Sequence, residues 1–268
     1  MAYPLQSSQI SLSSSATRNA IKLRRTLGVR RNEQLRKLML SNRSSLRENS
    51  SNGKLKPARQ RFHNQIIQRQ FRNRNSIDRK DPDLYVFGGL PASGKGTVLR
   101  KKVPEKTVVI DNDYYKEKLS RRTKSPIKGY KLAHAQVLHE EARVLVNRAI
   151  DKSIKQRRDV TYDGTMRNPQ KARRIIAKYK KAGYDVHYLA TQKKPAKAMS
   201  HATNRFLITG RFVPLKFIKN EGNQISKNSW NARKLADTHQ IYDTNTMRSK
   251  LISKSKRSMG FNFRNPKN

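Results

Sequence analysis

The sequence predicts an α/β fold, a parallel sheet flanked by helices, preceded by a basic N-terminal arm that is largely disordered or helical. Three observations carry this. Short apolar runs alternate with helical stretches between residues 81 and 250. A glycine-rich loop follows the first of those runs. The character of the chain also changes abruptly at Asp81-Pro82. The expected organisation is therefore a basic arm over 1–80, disordered or folding on a partner, an α/β domain over 81–250 and a basic tail over 251–268.

In the arm, residues 1–20 are Ser-rich without apolar period, and Thr17 to about Leu40 alternates apolar residues with Arg and Lys. That stretch reads as a basic amphipathic helix broken near Gly28, and Ala58 to Lys80 reads as helical around Phe62, Ile66 and Ile67. Few acids and plentiful Arg and Ser are also how an organellar transit peptide reads. In the domain, Leu84-Tyr85-Val86-Phe87 is a buried strand entering Gly88-Gly89, and Thr107 to Ile110 is a second strand ending in Asp111-Asn112-Asp113. Leu138, Ala142, Leu145, Val146, Ala149 and Ile150 form one stripe of a helix. Asp159 to Tyr162 is a third strand running into Asp163-Gly164-Thr165. Asn168-Pro169 opens a helix that Gly183 closes, with Ile175, Ile176 and Tyr179 inside. Tyr184 to Ala190 and Thr238 to Tyr242 complete five strands.

Composition narrows the function. The 268 residues hold 61 Lys and Arg against 18 Asp and Glu, a formal charge of +43, and only 34% are apolar. The arm has 19 Lys and Arg against three acids, Glu33, Glu48 and Asp78, but the rest is strongly basic too. Self-repulsion on this scale points to a polyanionic partner, with nucleic acid first and an anionic membrane surface or a ribosome-rich compartment next. No apolar run is long enough to span a bilayer. The absence of Cys excludes a disulfide framework and thiol chemistry, and the six His fall singly without zincin spacing. A cytoplasmic location is expected, with virion association or organelle targeting as the other placements.

Gly89-Leu90-Pro91-Ala92-Ser93-Gly94-Lys95 fits G-x-x-x-x-G-K directly after a strand. Such a loop turns backbone N–H groups inward around a triphosphate and presents a helix N-terminus to the anion. Gly89, Pro91, Ala92, Ser93, Gly94, Lys95, Gly96 and Thr97 are thus the expected site for ATP or GTP, with Lys95 reaching the β- and γ-phosphates. The residue after the lysine is Gly96, so the usual magnesium-binding hydroxyl is absent or displaced to Thr97; Mg2+ is expected with the nucleotide, its protein ligands unknown. Ligands of open α/β sheets sit outside the carboxyl ends of the strands, where Asp111, Asp113 and Asp163 fall. Phosphoryl transfer needs a carboxylate to take the proton of the attacking hydroxyl, and Asp113 is assigned to it. Asp111 reads equally as a helix N-cap. Arg205 and Arg211 become phosphate clamps if their segment folds over the nucleotide as a lid.

From about Leu84 to Thr246 the chain resembles the zeta toxin family of P-loop kinases, relatives of chloramphenicol phosphotransferase. The resemblance rests on Gly89 to Lys95, Val109-Ile110-Asp111-Asn112-Asp113 with Tyr114-Tyr115-Lys116, His139-Glu140-Glu141-Ala142, Asp163-Gly164-Thr165, the Arg205 to Pro214 segment and Ile241-Tyr242-Asp243-Thr244-Asn245. It implies a P-loop NTPase-like fold and transfer of a γ-phosphate to a hydroxyl of a UDP-amino sugar. By that resemblance Lys95 holds the phosphates and Asp113 is the base. Asp163, Thr165 and Glu140 contact the acceptor, Arg205 and Arg211 neutralise charge from the lid, and an antitoxin or virion protein is a further partner. The alternatives are a basic protein that binds nucleic acid or accompanies a genome, its P-loop secondary or inactive, and a kinase of nucleic-acid ends.

Overall fold

Six strands build one sheet in the order β4-β5-β3-β6-β7-β8, comprising β3 (Asp83–Gly88), β4 (Val108–Asp111), β5 (Val160–Asp163), β6 (Asp185–Gln192), β7 (Thr238–Asp243) and β8 (Lys250–Lys254). All neighbours run parallel except β7 and β8. The computed structural model describes residues 44–72, 80–123, 137–209, 213–246 and 248–255, and these belong to one unit that starts at Ser44. The five expected strands are present within one or two residues at each end, both expected helices are there, the first running on to Lys155, and the fold is the α/β arrangement anticipated.

The central strand β3 is buried along its whole length, which is why it reads as an unbroken apolar run. Alternate residues face opposite sides. Leu84 and Val86 join a large cluster with Val160, Tyr162, Val186, Tyr188 and Ile241, covered by α5 (His139–Lys155), α6 (Pro169–Lys181) and α8 (Leu215–Ala232). Tyr85 and Phe87 pack on the other face with Leu99, Leu189 and Tyr242. Helix α6 opens as its sequence requires: Asn168 Oδ1 accepts from Lys171 N at 2.9 Å, and Pro169 takes the first turn, where no intrahelical N–H bond is lost.

The arm assignment needs correction from Ser44 onward. Ser45–Glu48 forms α1, and Ser50–Ser51 (β1) pairs with Lys54–Leu55 (β2) around Asn52-Gly53, both at positive φ. Asn-Gly is the residue pair that a two-residue hairpin turn with both central residues at positive φ favours. Pro57–Phe71 is a 15-residue helix, α2, and its Phe62, Ile66, Ile67 and Phe71 are buried in the main cluster. Four large apolar side chains on one face outweigh the surrounding Arg and Gln, because burial of each is worth about 1.5–3 kcal/mol. Residues 1–43, including the amphipathic stretch from Thr17, lie outside the described residues. The tail is corrected likewise: β8 lies in it, with Leu251 and Ile252 exposed on the sheet's edge. Residues 256–268 are outside the description.

Candidate active site

The glycine loop leaves β3 at Gly88 and closes into the four-residue helix α3 (Lys95–Val98), whose N-cap is Gly94 at φ +87°. Gly89 sits at φ +126°, and a Cβ there would lie 2.5 Å from the Thr191 carbonyl oxygen, so only glycine fits. Two threonines hold the loop's far side. The Ser93 and Thr191 hydroxyls share a hydrogen bond of 2.6 Å, and Thr244 Oγ1 donates to Ser93 O at 2.8 Å. Thr191 is the last residue but one of β6 and Thr244 follows β7, so the ends of these two strands set the loop's shape. Lys95 Nζ donates to Gly89 O (3.0 Å) and Leu90 O (2.9 Å). Beneath the loop, Leu90 is buried against Ala198 and Ala202 of α7 (Pro195–Thr209) and Ile218 and Ile225 of α8.

The cradle fits a triphosphate: backbone turned by glycines, a lysine at its mouth and a helix start behind it. A Cβ added at Gly96 meets nothing within 4 Å. Packing therefore does not demand glycine there, and the missing hydroxyl is a difference of chemistry. Thr97 is exposed on the same turn. Among the described residues no group of three or more His, Asp or Glu side chains is arranged to hold a metal. Two carboxylates, Asp111 and Asp163, end the strands β4 and β5.

Those two stand opposite each other in the β4–β5 register, and Phe87 of β3 pairs with Asp163 on its other side. Asp111 caps α4 (Asn112–Ser120): its Oδ1 accepts from Asp113 N at 2.9 Å, and Arg100 approaches its Oδ2 at 4.0 Å. Burial pushes the Asp163 carboxyl up to about 6; Lys95, Arg100 and Arg205 oppose this and Asp111 adds to it. Arg205, half-buried on α7, feels both Asp111 and Asp163, which counter the lowering that burial imposes on it. The structure thus sets Arg100 beside Asp111 and leaves Lys95, Arg100 and Arg205 acting electrostatically on Asp163.

The remaining expected residues are placed differently. Asp113 faces the rim, 37% exposed, with Lys116 Nζ 3.3 Å away. Thr165 is half-buried just beyond Asp163. Glu140 lies in the first turn of α5 and accepts a hydrogen bond from Ser44 Oγ. Arg211 lies outside the described residues. On the rim, His139 Nδ1 is 3.2 Å from Asn112 Nδ2, and its pKa falls to about 4 through burial and the charges of Lys116, Arg143 and Lys171. Arg100, Arg143 and Lys171 escaped the sequence reading, and Lys116 entered it without a role. In so basic a chain only spacing marks them: Lys116 is one turn past Asp113, and Arg143 one turn past His139.

The sequence model of the zeta toxin family matches residues 67–254, more than half of the chain. No curated protein matches the sequence. Among solved structures, one from the PezAT chromosomal toxin–antitoxin system of Streptococcus pneumoniae superposes with TM-score 0.56 at 19% identity, covering 74% of this chain and 81% of that one. The complex of AvrRxo1-ORF1 and ORF2 with ATP superposes with TM-score 0.58 at 14% identity over 80% and 77%. The same complex with sulphate ions gives 0.57 over the same shares. These likenesses concern the fold, whereas the sequence match, the phosphate loop and the strand-end carboxylates fix the relationship: the chain belongs to the zeta toxin family and is a P-loop phosphotransferase.

Proposed function

We propose that this protein transfers the γ-phosphate of ATP or GTP to a hydroxyl of a phosphorylated small molecule, a UDP-amino sugar being the first choice. The observation that supports it most is the glycine cradle with Lys95 at its mouth, together with Asp111 and Asp163 paired at the strand ends and Arg100 4.0 Å from Asp111. Catalysis of phosphoryl transfer is mostly positioning and charge neutralisation, and a lysine at the mouth of a phosphate loop with an arginine beside the strand-end carboxylates suits that task. ATP in the AvrRxo1 complex supports a nucleotide in the same fold.

In this reading Lys95 turns from the Gly89 and Leu90 carbonyls to the β- and γ-phosphates. Arg205, with Arg211 from the same segment, covers the transferring group. Asp113 accepts the acceptor's proton, being the exposed carboxylate in the first turn of α4, just past the end of β4, while Asp163 and Thr165 orient the hydroxyl. Mg2+ bound with the nucleotide would supply further charge neutralisation, and Asp111 and Asp163 are the side chains that would hold it. Lys116, Arg143 and Lys171, with Glu140 at their edge, form the basic rim that a diphosphate-bearing acceptor would meet. An antitoxin-like protein is the proposed inhibitory partner, after the PezAT system in which this fold occurs.

The test is incubation of the full chain with γ-labelled ATP and a panel of nucleotide sugars and oligonucleotides. Labelled UDP-N-acetylglucosamine supports the reading; label confined to oligonucleotide ends replaces the acceptor by a nucleic acid.

A second activity, polyanion binding, is favoured by the +43 charge and by helix α6, where Arg173, Arg174, Lys178, Lys180 and Lys181 are exposed and no acid occurs. Lys178 pairs with Asp151 and Lys180 with Asp237. Affinity for duplex DNA or RNA that falls steeply between low and moderate salt supports it, and salt-independent or absent binding removes it.

A further inference from the structure

Glu141 is a fully buried carboxylate on α5, and the groups that satisfy it all come from the segment preceding the sheet. Arg59 Nε donates to its Oε1 at 2.6 Å and Arg59 Nη2 to its Oε2 at 3.0 Å. His63 Nε2 lies 2.7 Å from Oε1, and Ser45 Oγ donates to Oε2 at 2.6 Å. Arg59, His63 and Ser45 are themselves buried. The same Arg59 reaches past Glu141 to Arg122 O (3.2 Å) and Thr123 Oγ1 (3.3 Å), just beyond the C-terminal end of α4. At the other end of α2, Gln70 Nε2 donates to Val109 O of β4 at 2.6 Å. Gln70 Oε1 accepts from the buried Tyr115 hydroxyl, also at 2.6 Å, two residues from Asp113. Ser45 N donates to Val137 O at 3.0 Å, two residues before α5 begins.

These contacts touch only certain elements. They reach β4, both ends of α4 and the start of α5, the elements that carry Asp111, Asp113, Lys116, His139 and Glu140. None of these contacts involves the glycine loop or its two threonine supports. Ser44 to Ile66 also precede the part of the chain that the family's sequence model matches. A buried, fully hydrogen-bonded carboxylate is costly unless its partners are held in place, so the segment is fixed rather than draped.

We infer that residues 44–71 are a built-in brace for the acceptor side of the active site, with Arg59 and Gln70 as its positioning residues and Glu141 as its socket. The brace sets the spacing of α4 from α5, and thereby the distance of Asp113 and Lys116 from His139 and Glu140. It leaves the nucleotide cradle to Thr191 of β6 and Thr244 just past β7.

The kinetic arm of the test rests on the kinase reading above, and the exchange arm does not. Full-length wild type, Arg59→Lys and Gln70→Met are compared by hydrogen exchange and by Michaelis kinetics, with ATP and UDP-N-acetylglucosamine as the probes. Arg59→Lys keeps the charge at Glu141 but loses the fork that also reaches Arg122 and Thr123. Gln70→Met keeps shape and removes both hydrogen bonds. The expected result is exchange faster by about tenfold in residues 112–120 and 139–143, with residues 83–98 within about twofold of wild type. The acceptor KM rises by about tenfold and the ATP KM stays within about twofold. Wild-type exchange in 112–120 for both variants overturns the inference, as does an ATP KM that rises as much as the acceptor's. A wild type that leaves the sugar unlabelled refutes the acceptor assignment instead, and exchange then decides the brace alone.

Discussion

Asp111 and Asp163 stand side by side in register at the carboxyl ends of β4 and β5, and only one of them has its charge well used by the fold. Asp111 caps α4, whereas Asp163 faces Lys95 from a site that disfavours its ionised form. The pH behaviour of the protein should report the difference. A carboxyl raised to about 6 binds a proton in the folded chain that the unfolded chain has already lost. Stability from this group therefore falls as pH rises from about 4 to about 6 and stays low above. Asp163→Asn should accordingly raise the melting temperature at pH 7.5, with the gain shrinking toward pH 4, while abolishing transfer. Thermal melts across that range check it; an Asn variant less stable than wild type at pH 7.5 contradicts it.

Glu141 titrates the other way. Burial raises its pKa, but the hydrogen bonds from His63, Arg59 and Ser45 outweigh burial and bring it down to about 2. Its stabilising contribution is present above the unfolded carboxylate range and is lost as pH falls from about 4.5 toward 2. Glu141→Gln leaves Arg59 without its counter-charge and should cost about 3–5 kcal/mol at neutral pH, measured by urea unfolding. A loss below about 1 kcal/mol would mean the network is dispensable.

The loop's glycines differ in kind. Gly89→Ala forces a Cβ to 2.5 Å from a backbone oxygen at φ +126°, so nucleotide affinity should vanish and the fold should weaken. Gly96→Ser meets nothing within 4 Å and removes a flexible residue from a helix, so stability should hold or rise by up to about 1 kcal/mol. The new hydroxyl should make ATP affinity more dependent on Mg2+. Calorimetric titration of each variant, with Mg2+ and with a chelator, reads both outcomes.

Lys95 bonds to the carbonyls of Gly89 and Leu90 in its own loop. Lys95→Met should therefore spare the fold, with a melting temperature within about 3 °C of wild type, while lowering turnover by at least about a hundredfold. A variant that folds and turns over normally would remove Lys95 from the chemistry.

Much of this was legible in the chain itself. The phosphate loop follows a strand because Leu84 to Phe87 is apolar without interruption and Gly88-Gly89 ends it. Asn168-Pro169 announced α6 by local chemistry alone. What stayed hidden was long-range. Arg59 and Glu141 are 82 residues apart in sequence, and nothing local marks their pairing. Helix α2 was legible from Phe62, Ile66 and Ile67, but nothing local showed that this face is buried in the core of the domain instead of belonging to a separate arm. Strand β8 was lost in the same way, five residues with lysine at both ends. Of the site, Lys95 and Asp163 each stand in a motif of the sequence, whereas Arg205 had no local mark and is linked to Asp163 only by the fold. Arg100 joins them only because the turn after α3 brings it back toward β4.

Transfer of label from γ-labelled ATP to UDP-N-acetylglucosamine by the full chain, measured beside Asp113→Asn and Lys95→Met, tests the central claim most directly. A labelled sugar with wild type and at least about a hundredfold less with either variant is the predicted result. Label appearing on no acceptor, or appearing equally with all three proteins, contradicts it.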